Sequence, residues 1–321
     1  MSEHHTENNR VLAANWPYPR HAKFEKELRL AAKKWFESKG LKCLDKYPYC
    51  LEKWENWHHN IIDQEVVRFI KSDRQERKGK KGFPLHKYVH HGLSSQALLF
   101  NLIGPLVVRK DLTPLRQLLE SKGVAWPDGK AEGEFEYEDR KVFKEDSGQP
   151  TSIDFIIQDS NNNPVIFIES KLVEREFGAC SVFKNGDCDG RNPAADFTQC
   201  YLHHIGRSYW KLLEKHGFLD GQLKTEKACI FTSHYQFFRE ILFAIEKAGT
   251  FVLLSDKRSP TFFCTKKDGS APRGLMEFLC EFVPEKVRHR IVNITIQELV
   301  QAIEETGRHP WVVDFKLKYG L

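Results

Sequence analysis

The sequence predicts an α/β fold whose central region follows the order α-β-β-β-α-β. Three observations carry this prediction. Residues 93–108 form a long apolar stretch that begins at a serine pair. Residues 153–158 and 165–172 are two runs rich in β-branched and aromatic residues, and the chain returns to helical patterns after residue 194. A sheet with helices before and after its strands is expected to be covered by those helices.

The composition is that of an ordinary globular chain. Of the 321 residues, 40% are hydrophobic, 29% are charged and 12% are aromatic, which excludes a collagen-like, coiled-coil or disordered protein. The net charge of +5 permits a nucleic-acid partner without requiring one. The eight cysteines are too few for a secreted disulfide scaffold, and the N-terminus lacks the apolar core of a signal peptide. The longest apolar run, 97–108, is too short to span a bilayer. These features predict a cytoplasmic protein without membrane contact.

Residues 1–90 are predicted to be a helical N-terminal region. A polar tail of about 20 residues comes first, and helices are then expected over 23–39 and 50–70. The segment 71–81 is expected to be a flexible basic loop. Its cationic residues are Lys71, Arg74, Arg77, Lys78, Lys80 and Lys81. Such a run is suited to contact nucleic-acid phosphates without reading bases; a solvated loop is the alternative.

Residues 91–256 are predicted to form the core. The helix over 93–108 should begin near Ser94 or Ser95 and break at Gly104-Pro105. The remaining elements, in order, are a helix over 112–122, strands over 135–143, 153–158 and 165–172, a helix over 194–216, a strand over 228–232, a helix over 237–247 and a strand over 251–254. Residues 257–321 are expected to be a C-terminal extension of short helices and strands.

Charged residues converge on the predicted hairpin of residues 153–172. Asp154 lies on the first strand, whereas Glu169 and Lys171, two residues apart on the second strand, point the same way. An apolar run leads directly into Glu169, so this acid lies at the end of a buried strand. Ionised groups in such a place are costly unless they are paired or bound to a metal.

Two carboxylates and a backbone carbonyl make an oxygen site suited to Mg²⁺, or to Mn²⁺. Here they would be Asp154, Glu169 and the carbonyl of Ser170. A lysine in reach, Lys171, would lower the pKa of a metal-bound water or stabilise charge on a phosphate. This is a set of groups for phosphodiester hydrolysis. The alternative is a structural ion pair between Lys171 and one of the acids.

These residues resemble a known superfamily of nucleases. Ile153-Asp154 and Glu169-Ser170-Lys171, in an α-β-β-β-α-β order, are similar to the motif of the PD-(D/E)XK, or restriction-endonuclease-like, nucleases. Further similarity to a group of candidate restriction endonucleases is carried by Ser94-Ser95-Gln96, Phe100-Asn101, Phe135-Glu136 and Lys171-Leu172-Val173-Glu174. The resemblance covers about residues 83–210. It departs from the superfamily pattern at Ile153, where proline is common.

The resemblance implies a restriction-endonuclease-like core and roles for particular residues. Asp154 and Glu169 would bind the metal and Lys171 would activate water. Accessory roles would fall to Glu136 (or Glu138), Gln96 and Glu174, and Gln199 resembles a glutamine that other branches place beside the scissile phosphate. A solvent-facing helix residue is the alternative for Gln199.

The function expected from the resemblance is a Mg²⁺-dependent DNA endonuclease of restriction or defence type. The alternatives are a nucleic-acid-binding module of the same fold that no longer cuts, and an RNA- or structure-specific nuclease. A homodimer is expected only by analogy with enzymes that cut both strands of a duplex.

A group of cysteines follows the hairpin. Cys180, Cys188 and Cys200 precede His203, and three thiols with an imidazole are a ligand set for structural Zn²⁺. The spacing between the cysteines matches no standard zinc knuckle. Free thiols are therefore the alternative.

Overall fold

Two sheets are present in the computed structural model, which describes residues 20–76, 84–146, 148, 150–264 and 274–321. Cys43–Leu44 (β1) and Tyr47–Leu51 (β2) make a small antiparallel sheet. The larger sheet contains Glu132–Asp139 (β3), Thr151–Gln158 (β4), Pro164–Lys171 (β5), Thr250–Ser255 (β6) and Ile291–Thr295 (β7), in that spatial order. β3, β4 and β5 are mutually antiparallel, whereas β6 and β7 continue the sheet in parallel with β5. The fold is therefore an α/β fold with a mixed sheet.

Helices flank this sheet. The α-helices are Ala22–Ser38 (α1), Gln64–Glu76 (α2), Ser95–Leu102 (α3), Gly104–Val108 (α4), Thr113–Ser121 (α5), Ser181–Lys184 (α6), Tyr201–His204 (α7), Tyr209–Lys215 (α8), Phe231–Glu246 (α9), Leu275–Cys280 (α10), Glu285–Arg288 (α11), Ile296–Glu305 (α12) and Val312–Tyr319 (α13). Short 3₁₀ helices cover Trp54–Asn60, Phe197–Gln199, Phe218–Asp220 and Gln222–Lys224. No helix in the described ranges is both long and apolar enough to cross a bilayer.

The predicted break in the first core helix is confirmed. α3 ends at Leu102, and α4 restarts at Gly104 with Pro105 in its first turn, where proline is tolerated. The predicted cap is also present, because the Ser94 hydroxyl accepts a hydrogen bond from the Ala97 N–H at 3.3 Å. α1 and α5 likewise confirm the helices predicted over 23–39 and 112–122.

The predicted hairpin is confirmed as β4 and β5, and β6 confirms the strand expected over 251–254. The Asp159 carboxylate accepts the N–H groups of Asn161 and Asn163 at 2.8 Å each, which fixes the turn that joins β4 to β5. The order helix, three strands, helix, strand is present, and β7 adds a fifth strand from the C-terminal region.

The helix predicted over 194–216 is wrong. This segment contains a 3₁₀ turn and two short helices, α7 and α8, and Gly206 between them has φ +87°. That left-handed conformation ends a helix readily at glycine. The strand predicted over 228–232 is also wrong, because the segment forms only an isolated bridge between Ala228 and Arg191 before α9 begins at Phe231. A short buried apolar run does not by itself distinguish strand from helix.

The N-terminal region also departs from the prediction. The helix expected over 50–70 is replaced by the end of β2, a 3₁₀ helix and the start of α2. Lys71 and Arg74 lie on α2 and not in a flexible loop, because Val66, Val67 and Ile70 give this helix a buried face. The other cationic residues of that run, Arg77, Lys78, Lys80 and Lys81, lie outside the described residues.

Apolar side chains of the sheet pack on both of its faces. Phe155 and Ile168 belong to one cluster, whereas Ile156 and Phe167 belong to the other. The first cluster also contains Phe24 of α1, Leu99 of α3 and Phe315 of α13, and the second is covered by α8, α9 and α10. The boundaries predicted at 90/91 and 256/257 stay a prediction, but side chains from all three segments pack in one cluster.

Candidate active site

The hairpin register brings the two predicted metal ligands together. β4 and β5 pair Phe155 with Ile168, and one step further along the same register Asp154 lies opposite Glu169. The Ser170 N–H donates to Asp154 Oδ2 at 2.9 Å, which holds this carboxylate beside the second strand. One carboxylate from each strand therefore lies at the same end of the hairpin, as the sequence predicts.

Glu169 and Lys171 form a buried ion pair with an added glutamine. The Lys171 ammonium donates to Glu169 Oε1 at 2.7 Å and to Gln236 Oε1 at 2.7 Å, and the Gln236 amide donates to Glu169 Oε1 at 2.6 Å. The side-chain exposures of Lys171 and Glu169 are 8% and 2%. Gln236 lies on α9, so this helix completes the site on one face of the sheet.

The second oxygen of Glu169 differs from the first in its contacts. Glu169 Oε2 is buried and accepts no hydrogen bond from the described residues. A buried carboxylate oxygen without a donor is costly, and a cation beside it would remove that cost. Glu169 Oε2 with the carboxylate of Asp154 therefore fits a hard divalent cation such as Mg²⁺, with water as further ligands. The Ser170 carbonyl as a third ligand stays a prediction.

A third carboxylate approaches the same place from β3. Phe135 pairs with Phe155 and Tyr137 with Ile153, so Glu136 lies level with Asp154. Glu136 Oε1 accepts from the Gln96 amide and Oε2 accepts from the Ser152 hydroxyl at 3.3 Å. Two residues that the resemblance selected, Gln96 and Glu136, are thus in direct contact.

Burial and neighbouring negative charge raise the pKa of two acids of this cluster, Glu136 and Asp154. Burial raises the pKa of Glu136 to about 7, and the charge of Glu169 acts in the same direction. Burial, together with the charges of Glu169 and Glu136, raises the pKa of Asp154 well above its usual range. Bringing these carboxylates together is therefore unfavourable without added positive charge, which a bound divalent cation would supply.

Lys171 is held in its charged form. Burial lowers the pKa of this ammonium, but the nearby carboxylates, Glu169 first, outweigh burial and raise it. The side chain is therefore a cationic hydrogen-bond donor at neutral pH and is not suited to remove a proton from water directly. It is suited to orient water and to stabilise negative charge.

Sequence reasoning missed two residues of α9. Gln236 contacts both Lys171 and Glu169, and Glu240 is fully buried one helical turn further on, with neither carboxylate oxygen hydrogen-bonded to the described residues. Burial and the charge of Glu169 raise the pKa of Glu240 well above its usual range. Their spacing of four residues, which places both on one face of a helix, is the available signal. The sequence prediction begins this helix only at residue 237 and so leaves Gln236 outside it.

Of the remaining predicted residues, Glu174 lies beside the site, whereas Gln199 and Lys71 are exposed elsewhere on the surface. Glu174 follows β5, and its carboxylate accepts the Leu172 N–H at 2.6 Å while its charge acts on Lys171. Gln199 is exposed in a 3₁₀ turn and donates to Asp196 at 3.3 Å, so the structure does not bring it to the acid cluster. Lys71 is exposed near the end of α2.

The predicted zinc ligands are brought together only in part. Cys180, Cys188 and Cys200 line one small cavity, but its fourth cysteine is Cys229; His203 does not line it. No group of three or more His, Cys, Asp or Glu side chains in the described ranges is already arranged to hold a metal ion. The acids Asp154, Glu169 and Glu136 are therefore also not placed as a set of three metal ligands.

Fold and site together define an α/β protein with a buried carboxylate–lysine site at one end of a mixed sheet. The chain matches the model of the family described as restriction endonuclease associating with ARP over residues 29–320, and it belongs to this family. Its role is therefore nuclease-like at the level of the family. No curated protein and no solved structure matches the chain.

Proposed function

We propose that the protein is a Mg²⁺-dependent endonuclease that hydrolyses DNA phosphodiester bonds in restriction or defence, with a PD-(D/E)XK core. One observation carries the proposal: Lys171 and Gln236 hold one oxygen of Glu169, while the other oxygen is buried without a hydrogen-bond partner among the described residues, on the acid that lies opposite Asp154. A structural ion pair explains the first oxygen but not the second. Membership in a restriction endonuclease family supports the same function.

Asp154 and Glu169 would hold the cation, with Mn²⁺ as a substitute for Mg²⁺. When bound, the cation supplies positive charge to polarise a phosphate oxygen and to favour hydroxide over water. The chain itself supplies the orientation. The Ser170 N–H fixes Asp154, and Gln236 fixes Glu169 and Lys171 relative to each other.

Lys171 would stabilise the negative charge that develops on the phosphate during attack by water. Its ammonium is held by Glu169 and Gln236, so its position is set before substrate binds. Glu136, with a pKa raised to about 7 by burial and by Glu169, is suited to accept a proton at neutral pH through its carboxylate. Glu174 and Gln96 would position Lys171 and Glu136.

Basic residues before the core would contact the DNA backbone. Lys71 and Arg74 lie on α2 just before the segment that contains the remaining cations of the run. Lysine and arginine contacts to phosphate give affinity that falls as salt rises. A homodimer that cuts both strands belongs to this proposal by analogy only.

The test is cleavage of plasmid, linear duplex DNA, single-stranded DNA and RNA with and without Mg²⁺ or Mn²⁺. We expect metal-dependent cleavage of duplex DNA, and a loss of about 100-fold or more in Asp154→Asn and Lys171→Met, since both remove charge from the reacting site. Lys211→Met is the matched control, because Lys211 is exposed on α8.

Three results would count against the proposal. Cleavage that Asp154→Asn leaves unchanged would exclude this site, and cleavage of RNA alone would assign the site to the RNA-nuclease alternative. Metal-independent DNA binding without cleavage of any substrate would assign the chain to the binding-module alternative. Circular dichroism of each variant distinguishes loss of activity from loss of the fold.

A further inference from the structure

Four cysteines meet at one small cavity beside the beginning of α9. Cys180 precedes α6, Cys188 lies in the loop after α6, Cys200 precedes α7, and Cys229 lies two residues before α9. All four line a cavity of about 20 Å³, together with apolar side chains such as Phe183 and Phe231. A space of this size holds about one water-sized particle.

The backbone fixes three of these cysteines relative to each other. The Cys180 N–H donates to the Phe231 carbonyl at 2.8 Å, and the Cys229 N–H donates to the Gly190 carbonyl at 2.8 Å. Ala228 and Arg191 add a bridge between the same two segments. Backbone hydrogen bonds at or beside the cysteines thus connect the segments near residues 180, 190 and 230, which are far apart in the sequence.

A backbone N–H group points at one of the four sulfur atoms. The Gly190 N–H donates to Cys188 Sγ at 3.4 Å. A neutral thiol is a weak acceptor that does not need such a donor. A metal-bound thiolate is stabilised by it.

Gly190 is required by this geometry. Its φ is +76°, and a Cβ at this position would lie 2.8 Å from a ring carbon of Phe183 and 3.1 Å from the Thr232 methyl group. Only glycine allows the loop to turn so tightly two residues after Cys188 and to place its N–H against the sulfur.

We propose that Cys180, Cys188, Cys200 and Cys229 bind one structural Zn²⁺. Four thiolates in tetrahedral arrangement are a common structural zinc site. Each sulfur would lie about 2.3 Å from the metal. The four side chains surround the cavity without yet being arranged as ligands. Binding therefore includes loss of the thiol protons and a turn of the sulfurs toward the centre.

This ligand set replaces the one expected from the sequence. His203 does not line the cavity, and its ring lies against Phe197, with 5.6 Å between ring centroids. Cys229 takes its place, because it lines the same cavity as Cys180, Cys188 and Cys200. The distance of Cys229 from the other cysteines in sequence, 29 residues after Cys200, hid it from any spacing pattern.

The proposed ion would hold the beginning of α9. Cys229 lies seven residues before Gln236, which contacts Lys171 and Glu169. The Tyr235 and Gln236 N–H groups also donate to the carbonyls of Gly178 and Phe177, so the cysteine-bearing segment and the start of α9 are joined. The zinc site does not depend on the nuclease proposal, because its geometry is separate from the acid cluster.

The test is the metal content of full-length protein purified under reducing conditions. Elemental analysis should find about one zinc per chain. Cys229→Ser should lose the zinc, whereas His203→Ala and Cys280→Ser should keep it, since Cys280 lies on α10 away from the cavity. A reduced wild-type protein without zinc, or zinc lost from His203→Ala and kept by Cys229→Ser, would overturn the proposal.

A second variant, in which one cysteine is replaced by histidine, tests the proposal if Cys229→Ser does not fold. Cys200→His should keep the metal, because imidazole also binds zinc in tetrahedral sites. After replacement of zinc by Co²⁺, the thiolate-to-cobalt charge-transfer absorption of Cys200→His should be lower by roughly a quarter, since one of four thiolates is lost. An unchanged absorption would remove Cys200 from the ligand set and overturn the four-cysteine proposal. A disulfide between two of the four cysteines that persists in protein purified under reducing conditions would also overturn it.

Discussion

Glu136 has a backbone conformation that non-glycine residues rarely adopt. Its φ is +53°, and it interrupts the pairing of β3 with β4 between Phe135 and Tyr137. Such strain costs of order 1 kcal/mol and is often found at functional sites. Here it directs the carboxylate to Gln96 and Ser152, beside Asp154 and Glu169, instead of into the strand's regular alternation.

The raised pKa of Glu136 predicts that the stability of the protein depends on pH. Its folded pKa is raised from 4.5 to about 7 by burial and by Glu169, so the unfolded chain releases this proton at lower pH than the folded chain. The contribution of Glu136 is then fully present below about pH 4.5 and is lost as pH rises through about 7. In metal-free buffer, the free energy of unfolding of wild type should fall relative to Glu136→Gln by on the order of 1–3 kcal/mol between about pH 5 and about pH 8.

Urea unfolding at several pH values measures this difference, and titrating groups that do not interact with Glu136 cancel between the two proteins. Glu138→Gln is the matched control, because Glu138 is exposed on the same strand. A constant difference between wild type and Glu136→Gln across this pH range would contradict the raised pKa. Mg²⁺ should reduce the effect, since a bound cation favours the ionised carboxylates.

Among the secondary-structure elements, the sequence predicts the β4–β5 hairpin correctly but not the start of α9. The hairpin was predictable because turn formers separate two apolar runs and Asp159 has local hydrogen-bond partners. The start of α9 was not, because residues 228–232 are buried on all sides and have no period that separates strand from helix. For this reason the sequence identifies Asp154, Glu169 and Lys171 but not Gln236. Glu240 falls inside the helix predicted over 237–247, but no pattern in the sequence relates that helix to the hairpin.

The structure and the sequence resemblance select different glutamines for the site, and this difference can be tested. Gln236 contacts Lys171 and Glu169, but Gln199 is exposed and contacts only Asp196 among the hydrogen-bonded side chains described. Gln236→Ala should lower the free energy of unfolding by about 1–2 kcal/mol, because it removes two hydrogen bonds to buried charged groups. It should also lower the rate of DNA cleavage by about 10-fold or more, since Lys171 is no longer fixed.

Gln199→Ala is the matched control and should leave both the unfolding free energy and the cleavage rate close to wild type. Urea unfolding measures the first quantity independently of any activity. A larger effect of Gln199→Ala than of Gln236→Ala on cleavage would show that the sequence resemblance, and not the structure, had identified the correct glutamine.

In the molecule as a whole, the first and the last helix of the described residues pack together in the core. α13 packs against α1, and the Tyr319 hydroxyl accepts from Asn101 of α3 at 3.1 Å. The Arg258 guanidinium, just after β6, donates to the carbonyls of Tyr319 and Gly320 at 2.9 Å and 2.8 Å. The sequence indicates none of these contacts, because each joins residues about 60 or more positions apart and forms only in the assembled fold.

These contacts predict that the chain unfolds as one unit. Phe315 on α13 is fully buried in the cluster that contains Phe24, Phe155 and Ile168, so Phe315→Ala should lower the free energy of unfolding by about 3–5 kcal/mol. Leu317→Ala, on the same helix but 64% exposed, should change it by less than about 0.5 kcal/mol. Far-ultraviolet circular dichroism and tryptophan fluorescence should report one coincident transition in each protein, shifted only in Phe315→Ala. A separate early transition in Phe315→Ala, with the sheet left intact, would show instead that the C-terminal segment is an independent domain.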